Sequence, residues 1–167
     1  MLSRRGHRAT GSESLAGITI EGLSDATNVW DEVPDWGGVG ALRLARSSSN
    51  ALGASVWEIQ PGGSQFVYHF HHGSEELLVV LRGTPTVRMH DAEHVLAEGD
   101  VLPFPRGPGG GHQIRNDSDE VARVLIVSAQ ANPDVAEYPE TGKVATIVDG
   151  SHAYHWTADA VEHAGPE

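Results

Sequence analysis

The stretch Gly63-Ser-Gln-Phe-Val-Tyr-His69-Phe-His71-His72-Gly-Ser-Glu75-Glu76-Leu-Leu-Val-Val-Leu-Arg-Gly83 decides the fold. Side chains alternate faces along an extended strand, so His69 and His71, two residues apart, point the same way. The same alternation groups Val67 with the two histidines and sends Phe66, Tyr68 and Phe70 to the other face. His72-Gly73-Ser74 reads as a turn. The run Glu76 to Leu81 reads as a strand with Glu76 at its start, and a hairpin here sets Glu76 beside the histidine pair. Two imidazoles and a carboxylate converging on one point make a ligand set for a divalent transition metal. Glu75, the competing carboxylate, falls on the face away from the histidines, and His72 faces opposite His71.

Downstream, Gly99-Asp-Val-Leu-Pro-Phe-Pro105-Arg-Gly107 leads through Pro108-Gly109-Gly110-Gly111 to His112, a fourth candidate ligand, and then to Asn116. Glycines 109 to 111 carry no side chains that would block a metal, so the backbone can pass close to it. Gln65 and Gln113 are candidate donors for orienting ligands; ordinary exposed polar positions are the alternative.

The two stretches together resemble the cupin superfamily. Its first motif is matched by Gly63, His69, His71, Glu76 and Gly83. Its second is matched by Gly99, Pro105, Gly107, His112 and Asn116, with four residues rather than two between Gly107 and His112. Fifteen residues separate Gly83 from Gly99, about the shortest spacer the family uses. The runs HFHHGSEELLVVLRG, FPRGPGGGHQIRNDSDE and PDVAEYPETGKV are similar to those of small single-domain bacterial cupins without an assigned chemistry, a group in which the longer approach to His112 is normal. The resemblance covers about residues 50 to 130. It implies a jelly-roll barrel holding one metal on His69, His71, Glu76 and His112. The superfamily spans dioxygenases, isomerases, epimerases, decarboxylases and non-catalytic binders, so the fold does not fix the chemistry.

Composition sets bounds on the rest. The chain has 167 residues, one domain's worth, with 39% hydrophobic residues, 20 Gly and 9 Pro, as expected of a turn-rich β protein. A net charge of −12 argues against nucleic-acid binding. There is no Cys, which removes disulfides, thiolate ligands and a Cys nucleophile. No run approaches membrane-spanning length and no signal-peptide core follows the basic N-terminus, so a cytoplasmic location is expected.

Taken in order, residues 1–14 read as a disordered arm. Residues 15–150 read as one barrel domain and 151–167 as a polar tail. Gly17 to Leu23 has the alternation of a short strand, and Trp30 to Trp36 reads as a loop with its indoles packed on the barrel. Strands are expected at Val39–Arg46, Ala54–Gln60, Gln65–His71, Glu76–Leu81, Thr84–His90, His94–Leu96, Val101–Phe104, His112–Asn116 and Val121–Ser128, with one more edge strand at Lys143–Asp149. Residues 130–167 read as otherwise acidic and irregular, and His152 and His155 as solvated tail residues. Strands at hairpin spacing with no long helix predict an all-β antiparallel jelly-roll barrel.

Two functions fit this pattern. One is a metalloenzyme acting on a small oxygenated metabolite, of dioxygenase or isomerase/lyase type; four protein ligands leave up to two positions open on an octahedral ion. No side chain stands out as its proton-transfer base. The other is a non-catalytic barrel that binds a small molecule, with the metal as staple or ligand anchor. Nitrogen and oxygen ligands suit Fe, Mn, Zn or Ni alike. Leu77 to Leu81 reads as apolar on both faces, and with outward Phe66, Tyr68 and Phe70 it predicts a homodimer packed sheet to sheet.

Overall fold

The computed structural model describes residues 27–34, 38–46, 51–149 and 151–157. The candidate arm 1–14, the expected strand Gly17–Leu23, Trp36, the turn at 47–50 and residues 158–167 lie outside them. Among the described residues the regular structure is twelve strands and one 3-10 turn at Pro108–Gly110. The strands are β1 (Val39–Arg46), β2 (Leu52–Ile59), β3 (Ser64–His71), β4 (Glu75–Arg82), β5 (Thr86–Met89), β6 (Glu93–Val95), β7 (Val101–Phe104), β8 (His112–Arg115), β9 (Ala122–Ala129), β10 (Asp134–Tyr138), β11 (Lys143–Val148) and β12 (Ser151–Trp156). They form a five-stranded sheet in the order β1-β2-β9-β4-β7 and a seven-stranded sheet in the order β12-β11-β10-β3-β8-β5-β6. Every pairing is antiparallel.

Alternating apolar side chains bring the two sheets face to face. On β4, Leu78 and Val80 are fully buried, and they pair across to Ile126 and Val124 of β9. With Ile59, Val87, Phe104 and Ile114 they form the core. Burying each of these side chains stabilises the fold by about 1.5–3 kcal/mol. At this end the second-motif residue Asn116 is fully buried. Its Nδ2 donates to the carbonyls of Ile59 (2.8 Å) and Glu120 (2.7 Å), and its Oδ1 accepts from the Ser118 hydroxyl (2.7 Å). Asn116 therefore ties the turn between β8 and β9 to the end of β2 and has a structural role.

Several expectations are corrected. The tail is not irregular: Asp134, Ala136 and Tyr138 alternate on β10, which pairs with β3, and β11 and β12 extend the sheet beyond it. Lys143–Val148 is therefore an interior strand, and the edge is β12. The face of β4 expected to be buried on the outside is partly open, with Leu77 38% exposed. The alternation read for β3 also fails. Gln65 pairs with Ile114 and His69 with His112, so Phe66, Val67 and Tyr68 stand opposite Gln113 alone. Phe66 takes a left-handed backbone (φ 45°), which turns its side chain onto the histidine face. Phe70 is buried and Val67 exposed. Trp30 is 57% exposed, under the Arg123 guanidinium at 5.6 Å. No helix among the described residues is long and apolar enough to cross a membrane.

Candidate metal centre

The site sits between the sheets, on one side of the core. β3 contributes His69 and His71, and β8 contributes His112, the register partner of His69. The ring centroids lie 4.8 Å apart for His69 and His112 and 5.3 Å apart for His69 and His71. Glu76 comes from β4 in the opposite sheet. His69, His71 and Glu76 each offer a ligand atom, all within 4.8 Å of one another. His112 stands at the edge of this trio, with Nε2 3.6 Å from Glu76 Oε2. Its ring stacks on Phe104 at 3.7 Å, which fastens the site to the core.

All three imidazoles are tethered through Nδ1. His69 Nδ1 lies 3.0 Å from the Val67 carbonyl, His112 Nδ1 2.9 Å from the Gly110 carbonyl, and His71 Nδ1 2.8 Å from Asp134 Oδ2. Each partner is an acceptor, so each Nδ1 carries a proton, and in the neutral ring Nε2 keeps its lone pair for an incoming group. Burial, with the neighbouring His112 and His71 adding to it, lowers the pKa of His69 to about 4. Burial likewise lowers His112 to about 4, against the opposing Gly110 hydrogen bond. Both rings are therefore neutral at neutral pH, as metal ligation requires. On Glu76, the Ser128 hydroxyl donates to Oε1 at 2.6 Å. Neutral imidazoles with free Nε2 atoms beside an oriented carboxylate fit a borderline divalent ion by donor chemistry.

The candidate ligands open into a cavity of about 470 Å³, a size that suits a small metabolite. Trp57 and Phe66 form an aromatic wall, edge to face with centroids 5.2 Å apart. Ser55, Gln65, Gln130 and Asn132 supply neutral polar groups, and Asp149 and His152 stand on the lining as well. Glu75 points away and binds Arg106 (3.2 Å), and His72 pairs with Glu137 (3.1 Å). Gln65 is buried on the cavity wall, whereas Gln113 donates to the Phe66 carbonyl (3.2 Å) and holds the bulge. Two of the glycines before His112 serve packing: a Cβ on Gly110 would collide with the Pro105 carbonyl, and one on Gly111 with the Tyr68 hydroxyl, whereas one on Gly109 would meet open space.

Four residues near the site escaped the sequence reading. Asp134 and Tyr138 lie on β10, and Tyr138 stacks on His69 at 5.5 Å. Burial, with Tyr154 and Glu76 nearby, pushes the Tyr138 phenol up to about 12. His152, expected as a solvated tail residue, is exposed but stands on the cavity lining. Phe66, expected on the opposite face, stands beside His69. The Asp134-Ala136-Tyr138 alternation after Pro133 was the available signal for β10.

Residues 55–128 match the family model of the cupin domain. This segment is a cupin domain. Solved structures similar to the chain include a sugar phosphate isomerase of the cupin superfamily from Silicibacter pomeroyi, at 23% identity and a TM-score of 0.66, covering 76% of this chain and 82% of that one. A candidate sugar phosphate isomerase from Acidithiobacillus ferrooxidans matches at 27% identity and a TM-score of 0.65, covering 76% and 83%. KdgF from a Halomonas species shares the fold at 17% identity and a TM-score of 0.53, covering 64% and 94%. Among curated proteins none matches this chain. Its His69, His71 and Glu76 are the kind of cluster that holds metal in cupins.

Proposed function

We propose that this cupin binds one divalent transition metal on His69, His71, Glu76 and His112 and isomerises a small hydroxycarbonyl compound of the sugar class. The observation that carries this reading is the set of three imidazoles, each tied at Nδ1, facing one carboxylate on the wall of a cavity. The sugar class is supported by the Acidithiobacillus ferrooxidans structure, whose name is that of a candidate sugar phosphate isomerase, and by the polar lining beside Trp57 and Phe66. When bound, the ion supplies a Lewis acid that polarises a carbonyl or hydroxyl oxygen.

The chain's own residues do the positioning. Ser128 holds the Glu76 carboxylate in one rotamer. The aromatic pair Trp57–Phe66 packs the carbon face of the ligand. Gln65, Gln130 and Asn132 take its hydroxyls, and His152 moves a proton between a ligand hydroxyl and solvent. A second copy of the chain covers the open outer face of the five-stranded sheet, giving a homodimer.

The test is elemental analysis of untagged protein beside a His69→Ala/His71→Ala variant, followed by proton NMR in D₂O with aldoses, ketoses and their phosphate esters. One equivalent of ion in the wild type alone, with deuterium entering the carbon next to a carbonyl, is the expected result. A reconstituted wild type without metal overturns the reading. Metal without any exchange or conversion, but with a sugar retained unchanged, replaces it by the non-catalytic binding barrel.

A further inference from the structure

His71 differs from the other two imidazoles in what tethers it. His69 and His112 are held by backbone carbonyls two residues away in sequence, whereas His71 is held by a carboxylate 63 residues away. That carboxylate, Asp134, is buried (4% exposed) and lies outside residues 55–128. Its two oxygens have separate duties. Oδ1 accepts from the backbone N–H of Gly73 (2.8 Å) and of Val135 (2.7 Å), while Oδ2 faces His71 Nδ1 at 2.8 Å. The Gly73 bond ties Asp134 to the turn between β3 and β4, the turn that leads from His71 to Glu76.

We infer that Asp134 is a positioning residue for the metal site, fixing the proton of His71 on Nδ1 and so presenting an unprotonated Nε2 as a strong ligand. This inference rests on the proposed metal site. A carboxylate behind a ligating imidazole fixes its tautomer and raises its basicity, and loss of such a partner costs about 10–100-fold in metal affinity.

The geometry makes an unusual forecast for the isosteric variant. In Asp134→Asn the two backbone donors keep the oxygen at the Oδ1 position. The amide nitrogen must then stand where Oδ2 stood and donate to Nδ1. His71 is driven to the opposite tautomer, with its proton on Nε2 aimed into the site. Asp134→Ala leaves His71 free to choose, at the cost of the acceptor that serves the Gly73 and Val135 N–H groups and the Ser74 side chain. Thermal stability is therefore expected to fall in the order wild type, Asn, Ala, and Zn²⁺ affinity in the order wild type, Ala, Asn. A purely structural Asp134 would give both quantities the same order.

The experiment measures Zn²⁺ affinity by chelator competition and the His71 tautomer by long-range ¹H–¹⁵N correlation on the metal-free proteins. About 10-fold weaker binding for Asp134→Ala, about 100-fold or more for Asp134→Asn, and a switch from Nδ1–H to Nε2–H in Asp134→Asn are the expected results. Asp134→Asn binding Zn²⁺ as well as or better than Asp134→Ala, with the wild type binding tightly, overturns the inference alone. A wild type that binds no Zn²⁺ overturns the proposed metal site beneath it. If Asp134→Ala does not fold, the tautomer in Asp134→Asn decides: His71 still protonated on Nδ1 refutes the inference.

Discussion

The Ser128 hydroxyl donates to Glu76 Oε1 across 2.6 Å, and the two residues are register partners on β9 and β4. A carboxylate at a strand end has several rotamers, and this bond selects the one facing the histidines. Ser128→Ala removes it without opening a large void. Metal affinity is expected to fall about 10-fold with the melting temperature nearly unchanged, measured by chelator competition and calorimetry. Unchanged affinity would mean that packing alone holds Glu76.

The buried imidazoles predict an acid-sensitive metal-free protein. His69 and His112 have folded pKa values of about 4, below the ordinary 6.5. Between those values the unfolded chain binds protons that the folded chain does not, so stability falls as pH falls. The contribution is fully present above about pH 6.5 and is gone below about pH 4, with a few kcal/mol at stake across the pair. Thermal melts of metal-free protein from pH 7.5 to 4 should show this loss, and a His69→Gln/His112→Gln variant should flatten it. A wild-type profile that is level over this range would contradict the neutral-imidazole site.

Arg123 clamps an upstream segment to the sheet. Its guanidinium is buried and donates to Glu58 Oε1 (2.6 Å), to the Val29 carbonyl (2.9 Å) and to the Asp31 carbonyl (2.6 Å). Lysine cannot reproduce this planar fork. Arg123→Lys is expected to cost about 2 kcal/mol in urea unfolding and to expose residues 27–34 to limited proteolysis. Unaltered cleavage would show that the segment is held by other contacts.

Asn116 gives a sharp stability test. Replacing its Nδ2 by oxygen in Asn116→Asp sets a buried acceptor against the carbonyls of Ile59 and Glu120. Two carbonyls facing a buried acid in place of their shared donor should cost about 3 kcal/mol or more, read in urea, while metal binding survives under conditions where the protein stays folded. A cost below about 1 kcal/mol would mean that water replaces the lost donor.

The proposed dimer has a direct test. Leu77 (38% exposed) and Val101 (55% exposed) lie on β4 and β7, where Val101 pairs with Val79 and Leu77 with Pro103. Light scattering of the wild type at micromolar concentration should give twice 17.8 kDa, and Leu77→Glu/Val101→Glu should give the monomer mass. A wild-type monomer refutes the assembly, and a dimer that survives the double variant moves it to another face.

The strands from β1 to β9 were legible because each carries its own alternation, bounded by Gly, Pro or Asn turns. The clustering of His69, His71 and Glu76 was legible because they lie within eight residues of one another, and a hairpin must bring them together. Phe66 was misplaced because period-2 logic assumes an unbroken ladder, and the bulge opposite Gln113 adds residues to β3 alone. Asp134 was invisible as a partner of His71 because their contact spans 63 positions and depends on the sheet order that sets β10 beside β3. β12 gave little signal because all six of its residues are exposed.

The hydrogen bond from His71 to Asp134 also bears on how this protein can be cut and recombined. The segment that carries the family's motifs ends at residue 128, yet one of its imidazoles leans on a strand that begins at residue 134. A chimera that transplants only the motif segment into another barrel would carry over the histidines and the glutamate but leave behind the group that orients one of them. The heritable unit of this site is longer than its signature, and grafts should be drawn through Tyr138.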